Sequence, residues 1–340
     1  MYKSISIENF RCFENTKIEG FEQINLIGGQ NNAGKTALLE ALYLGGEPWE
    51  NTIQILLNNR DESLKLYEKA EEQPFKNFFY RQNENKAITI TIEKYNLPTR
   101  KTDVTSSVYT ENQDDDLIER AALKIEGFDD NILIHNSSIN TMLNNERRII
   151  PARDFIDKII FIPARGKASD FGSVYKKIVI AGNKEYLLDA FRLIEPEIIE
   201  VEYITNQLLL MRKGENLMPI NVFGDAMMKL CTIVMPFILG KHKIILIDEI
   251  ENGIHHANQR KFWKMLFDLA KKFDIQVFAT SHSAEMIAAF QDVGKNKESV
   301  CKAKYFELTK DQDTNKIIAN PLNMDMLQYE ILKKQPFRGE

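Results

Sequence analysis

Several things are scarce in this sequence of 340 residues. Cysteine occurs three times, as Cys12, Cys231 and Cys301. They stand far apart and fit no metal spacing, so they read as incidental thiols of a reducing cytoplasm. Long apolar runs are missing. The longest, Leu230 to Leu239, contains Thr232 and Pro236 and stops at Gly240. That is short of the ~20 residues a bilayer takes, and it reads as a buried core helix, with no membrane partner. The segment Met1 to Phe10 alternates polar and apolar and lacks the continuous apolar centre of a signal peptide. No strong excess of one charge is present: 44 Lys and Arg against 49 Asp and Glu give −5. A chain this mildly acidic is no generic nucleic-acid coat, although a local basic patch stays open. Repeats and long heptad runs are absent too, which excludes solenoids and extended coiled coils. What is left is a globular composition, 44% hydrophobic and 27% charged, with chain enough for one large domain or two lobes.

One stretch stands out from that background. Gly29-Gln30-Asn31-Asn32-Ala33-Gly34-Lys35-Thr36 reads G-x-x-x-x-G-K-T, the phosphate-binding P-loop. The apolar run Ile24 to Ile27 before it predicts a buried strand. Ala37 to Tyr43 after it predicts a helix, with apolar residues three and four apart. Strand, glycine turn and helix N-terminus together suit a triphosphate: glycines let the backbone approach, and N–H groups and the helix dipole face the anion. Gly29, Asn31, Asn32, Ala33, Gly34 and Ala37 are expected to line the phosphates of ATP. Lys35 is expected to reach the β- and γ-phosphates, and Thr36 to offer its hydroxyl to Mg²⁺.

A second anchor lies downstream. Lys243 to Ile247 is an apolar strand ending in Asp248-Glu249, a Walker B element. Asp248 is placed to hold Mg²⁺ through water, and Glu249 to orient or deprotonate the attacking water. One helix later, Ile275 to Ala279 predicts another buried strand, ending in Thr280-Ser281-His282.

Three further segments have the letters of a family. Asn9-Phe10-Arg11-Cys12-Phe13 stands between strand-like segments ahead of the P-loop, Ile162-Pro163-Ala164-Arg165 ends a buried strand, and Glu251-Asn252-Gly253-Ile254-His255 follows Walker B. With the two anchors and the closing histidine, the chain resembles the RecF/SMC and overcoming-lysogenization-defect (OLD) branch of ABC-type ATPases, most of all a stand-alone OLD-like ATP-binding protein. The resemblance implies an α/β fold: a P-loop head with a mostly parallel core sheet, an antiparallel N-terminal sheet and a helical lobe. It implies that Arg11 lies beside the nucleotide, although an exposed arginine in a turn reads equally well from the residues. It assigns His282 as the switch histidine that contacts the γ-phosphate, for which a neutral imidazole suffices. The loop Asn221-Val222-Phe223-Gly224-Asp225-Ala226 resembles an ABC signature, capping the γ-phosphate held by a second copy. It carries Asn221-Val222 where a serine is usual, and Ala226 where a second glycine is frequent.

The implied organisation is a single head. Residues 1–45, 155–166 and 240–302 form the ATPase lobe, 46–154 an antiparallel and helical insertion, 167–239 the signature lobe, and 303–340 a hairpin and helix. The implied activity is slow, Mg²⁺-dependent ATP hydrolysis that gates head-to-head dimerisation and switches a separate effector, a nuclease or toxin, in anti-phage defence or DNA maintenance. A RecF-like DNA-binding head is the first alternative, using the basic stretch 146–177, where eight cations face four acids. A nucleotide-bound scaffold with little turnover is the second. Asp311-Gln312-Asp313 has the letters of a metal pair but reads as a hairpin turn. With 58 residues after His282, no nuclease domain is expected within the chain. No guanine-reading N-K-x-D pattern points to a GTPase.

Overall fold

The computed structural model describes residues 1–60, 75–113, 116–140, 158–164, 171–296 and 301–333. Residues Glu62 to Lys69, whose sequence could form a helix, and Asp114-Asp115 of the acidic turn Glu111 to Asp116 lie outside them. So do Arg147, Arg148, Arg153, Arg165 and Lys167 of the basic stretch. The chain divides into two compact units, 1–21 with 32–157 and 308–319, and 22–31 with 158–307 and 320–340.

The first unit carries an antiparallel sheet. Its strands are β1 (Tyr2–Phe10) and β2 (Phe13–Glu19), then, beyond β3 (Ile24–Gly29) of the second unit, β4 (Ile88–Lys94), β5 (Leu97–Gln113), β6 (Asp116–Asp129) and β7 (Ile132–Asn140). They lie in the order β2-β1-β4-β5-β6-β7. β4 shows why the sheet has one dry face: Ile88, Ile90 and Ile92 are fully buried, and Thr89 and Thr91 alternate with them. Two helices follow the P-loop, α1 (Lys35–Gly46) and α2 (Glu50–Asn58). α1 packs on β4 at Gly45, where a Cβ would stand 2.6 Å from an Ile90 methyl. Arg100 of β5 is buried and bonds Asp129 of β6 through Nε and Nη2, and Gly46 O at the end of α1 through Nη1. This ion pair ties the helix to the sheet. Thr16 in β2 donates to Ile317 O of the hairpin that closes the unit.

The second unit holds the core sheet. Past β8 (Ile159–Ile162) come α3 (Phe171–Ile180), α4 (Lys184–Ile194), β9 (Ile198–Ile204), β10 (Gln207–Arg212), the short β11 (Met218–Pro219) and α5 (Asp225–Leu239). Then follow β12 (Ile244–Ile247), α6 (His256–Phe273), β13 (Gln276–Thr280), α7 (Ala284–Lys295), β14 (Ala303–Lys310), β15 (Ile317–Leu322) and α8 (Met324–Leu332). The sheet order is β15-β14-β3-β13-β12-β8, and β3, β13, β12 and β8 run parallel. Ile244 to Ile247 are buried on both faces, as expected of a parallel strand covered by helices. α6 turns Phe262, Trp263, Leu266 and Phe267 inward, and the Trp263 indole N–H donates to Met286 O of α7. No described helix is long and apolar enough to cross a membrane.

The fold matches the expected class, with three corrections in detail. Residues 3 to 27, which read as two strands with the second broken near Gly20, make three, because the chain changes sheet after Gly20, where φ is +82°. Ile198 to Leu210, whose mixed pattern reads as one strand, is the hairpin β9–β10, turning at Thr205-Asn206, both at positive φ. Residues 171–239 therefore hold a small sheet besides their helices. The Asn-rich segment 131–145, which has no clear periodicity, contains β7, whose pairing with β6 supplies the order its own sequence lacks. Asp311 does sit in a turn: its Oδ1 accepts N–H bonds from Asp313 and Thr314 and the Thr314 hydroxyl.

Candidate active site

Parallel strands share a carboxyl edge, and open α/β sheets bind ligands there. In the second unit the register aligns Leu26 with Ala279, Ala279 with Ile247, and Ile247 with Ile162. One edge therefore gathers Gly29, Asp248-Glu249 and Ser281-His282. These are the start of the P-loop, both Walker B carboxylates and the closing histidine.

Thr280 organises this edge. Its hydroxyl donates to Asp248 Oδ1 at 2.6 Å and accepts the Glu249 backbone N–H at 2.8 Å. Its carbonyl accepts the N–H of Ile250. These bonds hold Glu249 at φ +47°, a left-handed conformation that a non-glycine side chain adopts at a cost of roughly 1–2 kcal/mol. Asn252 donates its side-chain amide to Glu249 Oε2 at 2.7 Å, fixing that carboxylate too. Asp248 is buried, so its charge calls for a cation partner. Carboxylate and hydroxyl oxygens are hard donors, the kind of ligand that Mg²⁺ takes.

A cation approaches from α5. Lys229 donates to Pro163 O at 3.3 Å and lies within electrostatic range of Asp248, Glu249 and Glu251. Burial pushes its ammonium below the usual lysine range, and the three carboxylates pull the other way. Gly253 packs on the start of the same helix: a Cβ there would stand 3.3 Å from Ala226 Cα. Gly224, at φ +89° before α5, has open space around it, and Asp225 occupies the exposed first turn of α5. A small exposed loop ahead of a helix is what the signature comparison calls for.

The P-loop itself has the backbone its letters demand. Gly29, Asn32 and Gly34 all have positive φ. At Gly34 a Cβ would also stand 2.7 Å from Cys12 Sγ, so both conformation and space require glycine. Lys35 and Thr36 open α1, which has neither a capping side chain nor an acid in its first turn. The helix N–H groups and dipole there suit an anion. Ala33 and Ala37 are buried, and Asn31 and Asn32 are exposed.

Arg11 lies in the two-residue turn between β1 and β2, but its side chain is only 6% exposed. Its Nε donates to Glu40 of α1 at 3.1 Å, its Nη1 to Asn77 O, and its guanidinium lies 4.2 Å from the Phe78 ring centroid. Arg60 bonds both oxygens of the same buried carboxylate. Arg11 thus braces the P-loop helix.

Glu251, Asn252, Thr280 and Lys229 were not singled out from the sequence as site residues. Thr280, Glu251 and Asn252 stand beside recognised letters, but the bonds of Thr280 and Glu251 join positions about 30 apart, which no local pattern shows. Lys229 falls on an apolar helix, where a lone lysine signals only a break in hydropathy.

Comparison with known proteins agrees with this geometry. Residues 24–288 match the family described as "AAA domain, putative AbiEii toxin, Type IV TA system". The chain is 30% identical to an "ATP/GTP phosphatase" of Helicobacter pylori, over 97% of both chains. It is 38% identical to the DNA replication and repair protein RecF of Shewanella baltica over 66 residues, 18% of each. Among solved structures, the Smc head domain from Pyrococcus furiosus, bound to the C-terminal domain of ScpA, superposes with a TM-score of 0.52 at 10% identity, covering 98% of each chain. The family match and the full-length relative show that the chain belongs to this AAA-domain family and is a P-loop ATPase, with a fold like that of Smc heads.

Proposed function

We propose that the chain hydrolyses ATP slowly, at a site completed by a second copy, and that the ATP-bound dimer switches a separate effector. The observation that carries this is the sheet edge where Gly29, Asp248-Glu249 and His282 converge, with Thr280 fixing the Asp248 carboxylate and the Glu249 backbone. Lys35 and the P-loop N–H groups bind the β- and γ-phosphates. Thr36 and Asp248 would hold Mg²⁺, which would supply charge neutralisation on the phosphates. Glu249 orients and deprotonates the attacking water, and His282 stands by the γ-phosphate. Arg11 supports the nucleotide through Glu40 and α1. The exposed Gly224-Asp225 loop caps the nucleotide of the second copy, so the pocket of one chain is incomplete.

The family description, with its toxin and type IV TA system, supports an effector switched in OLD-like fashion in anti-phage defence. Cytoplasmic action follows from that role. The RecF match supports DNA maintenance as the second reading, in which the head binds DNA when ATP is present. Phosphate release by wild type and Glu249→Gln tests the first reading. Hydrolysis abolished in the variant with ATP binding kept supports it; an equal, near-zero rate in both supports a scaffold instead. DNA binding that needs ATP and weakens steeply with salt would favour the second reading.

A further inference from the structure

Glu251 carries an unexplained burial. Its side chain is 9% exposed, and its Oε2 is buried with no hydrogen-bond partner among the described residues. Its other oxygen, Oε1, accepts the backbone N–H of His282 at 2.8 Å and stands 3.0 Å from the same residue's Nδ1. A carboxylate only accepts, so this approach is attractive when Nδ1 carries a hydrogen. One oxygen therefore fixes both the backbone and the ring of His282, across a gap of 31 residues.

The surroundings keep this carboxylate in place. Ile254 N–H donates to Glu251 O, closing the turn after Walker B, and Gly253 packs on Ala226. Lys229 of α5 is the cation within electrostatic range of Glu251. A buried carboxylate retained with one oxygen unbonded is costly in stability, and such groups persist mostly where they serve a function.

We infer that Glu251 is a positioning residue for His282, holding the ring with its proton on Nδ1 so that neutral His282 presents the Nε2 lone pair. The inference rests on the proposed ATPase site for its consequence, while the tautomer stands apart from it. The consequence concerns direction. A phosphate oxygen accepts hydrogen bonds, so a bare Nε2 cannot donate to it. It can accept from water. Neutral His282 then orients the attacking water beside Glu249, and does not serve as a donor to the γ-phosphate as the family resemblance implies.

The test reads the tautomer directly. The full chain is labelled with ¹⁵N-histidine and recorded by long-range ¹H–¹⁵N correlation near pH 8, above the usual imidazole pKa of about 6.5. His282→Gln assigns its signals among the five histidines. The expected spectrum shows a protonated Nδ1 and an unprotonated Nε2 for His282, the form free histidine disfavours. Glu251→Ala is expected to restore the Nε2–H form and lower kcat by roughly 10- to 100-fold with ATP affinity unchanged. Glu251→Gln keeps an acceptor oxygen and is expected to retain the tautomer and part of the rate. Thermal melts of both variants show that they remain folded. A wild-type His282 protonated on Nε2, or a Glu251→Ala kcat within twofold of wild type, overturns the inference. If wild type hydrolyses no ATP, the proposed function fails while the tautomer assignment is still decided by the spectrum.

Discussion

Replacing Thr280 by valine removes one hydroxyl and keeps the shape of a fully buried side chain. Two bonds go with it. The 2.6 Å bond to Asp248 is charge-assisted, worth about 1.5–3 kcal/mol. The Glu249 N–H loses its acceptor, and an orphaned buried donor costs about 1–3 kcal/mol. Against this, Glu249 becomes free to leave φ +47°, which returns about 1–2 kcal/mol of strain. The net expectation is a loss of about 2–4 kcal/mol, read as a lower urea midpoint at unchanged slope. The functional loss should be larger than the stability loss implies, because the Asp248 carboxylate and the Glu249 backbone are released at once. The phosphate-release rate is expected to fall by about 10- to 100-fold at saturating ATP, as for other residues that orient a catalytic group. Thr280→Ser keeps the hydroxyl and should recover most of the rate. If Thr280→Val hydrolyses ATP like wild type, or if serine rescues nothing, the hydroxyl does not organise the edge.

Other expectations are equally direct. Lys35→Ala should abolish binding of a fluorescent ATP analogue without changing the melting temperature, because Lys35 sits in the half-exposed first turn of α1; retained affinity would count against the P-loop assignment. Arg100→Leu strands the buried Asp129 and should cost about 3–5 kcal/mol in urea unfolding, whereas pairing it with Asp129→Leu should restore much of that. Burial pushes the Cys12 thiol up to about 11 from an ordinary value near 9. The folded state then holds that proton more tightly than the unfolded state. Its contribution is full below pH 9 and is lost as pH rises from 9 through 11, a loss that Cys12→Ala should remove from the pH dependence of unfolding.

The strongest signals in the sequence were those with a physical requirement at every letter. The P-loop needed positive φ at Gly34 and space beside Cys12, so its glycine could not vary. The Walker B strand needed burial on both faces, and its apolar run showed it. The three strands β3, β12 and β13 were therefore readable, and with them the order of the site. β7 and the β9–β10 hairpin were not. Their order comes from partners elsewhere in the chain, and a mixed or Asn-rich sequence shows none of that. Arg11 was noticed for its position, but its bond to Glu40 depends on α1 and Phe78 folding around it. Thr280 and Glu251 act across about 30 residues, and only the parallel register of β12 on β13 brings them to Glu249 and His282.

The claim that the pocket is completed by a second copy is tested most directly by measuring ATP hydrolysis per chain from nanomolar to micromolar protein, alongside sedimentation of Glu249→Gln with Mg²⁺ and ATP. The account predicts a rate per chain that climbs to a plateau, and an ATP-dependent dimer that Gly224→Asp prevents. A rate per chain independent of concentration, from a protein that sediments as a monomer with ATP bound, would contradict it.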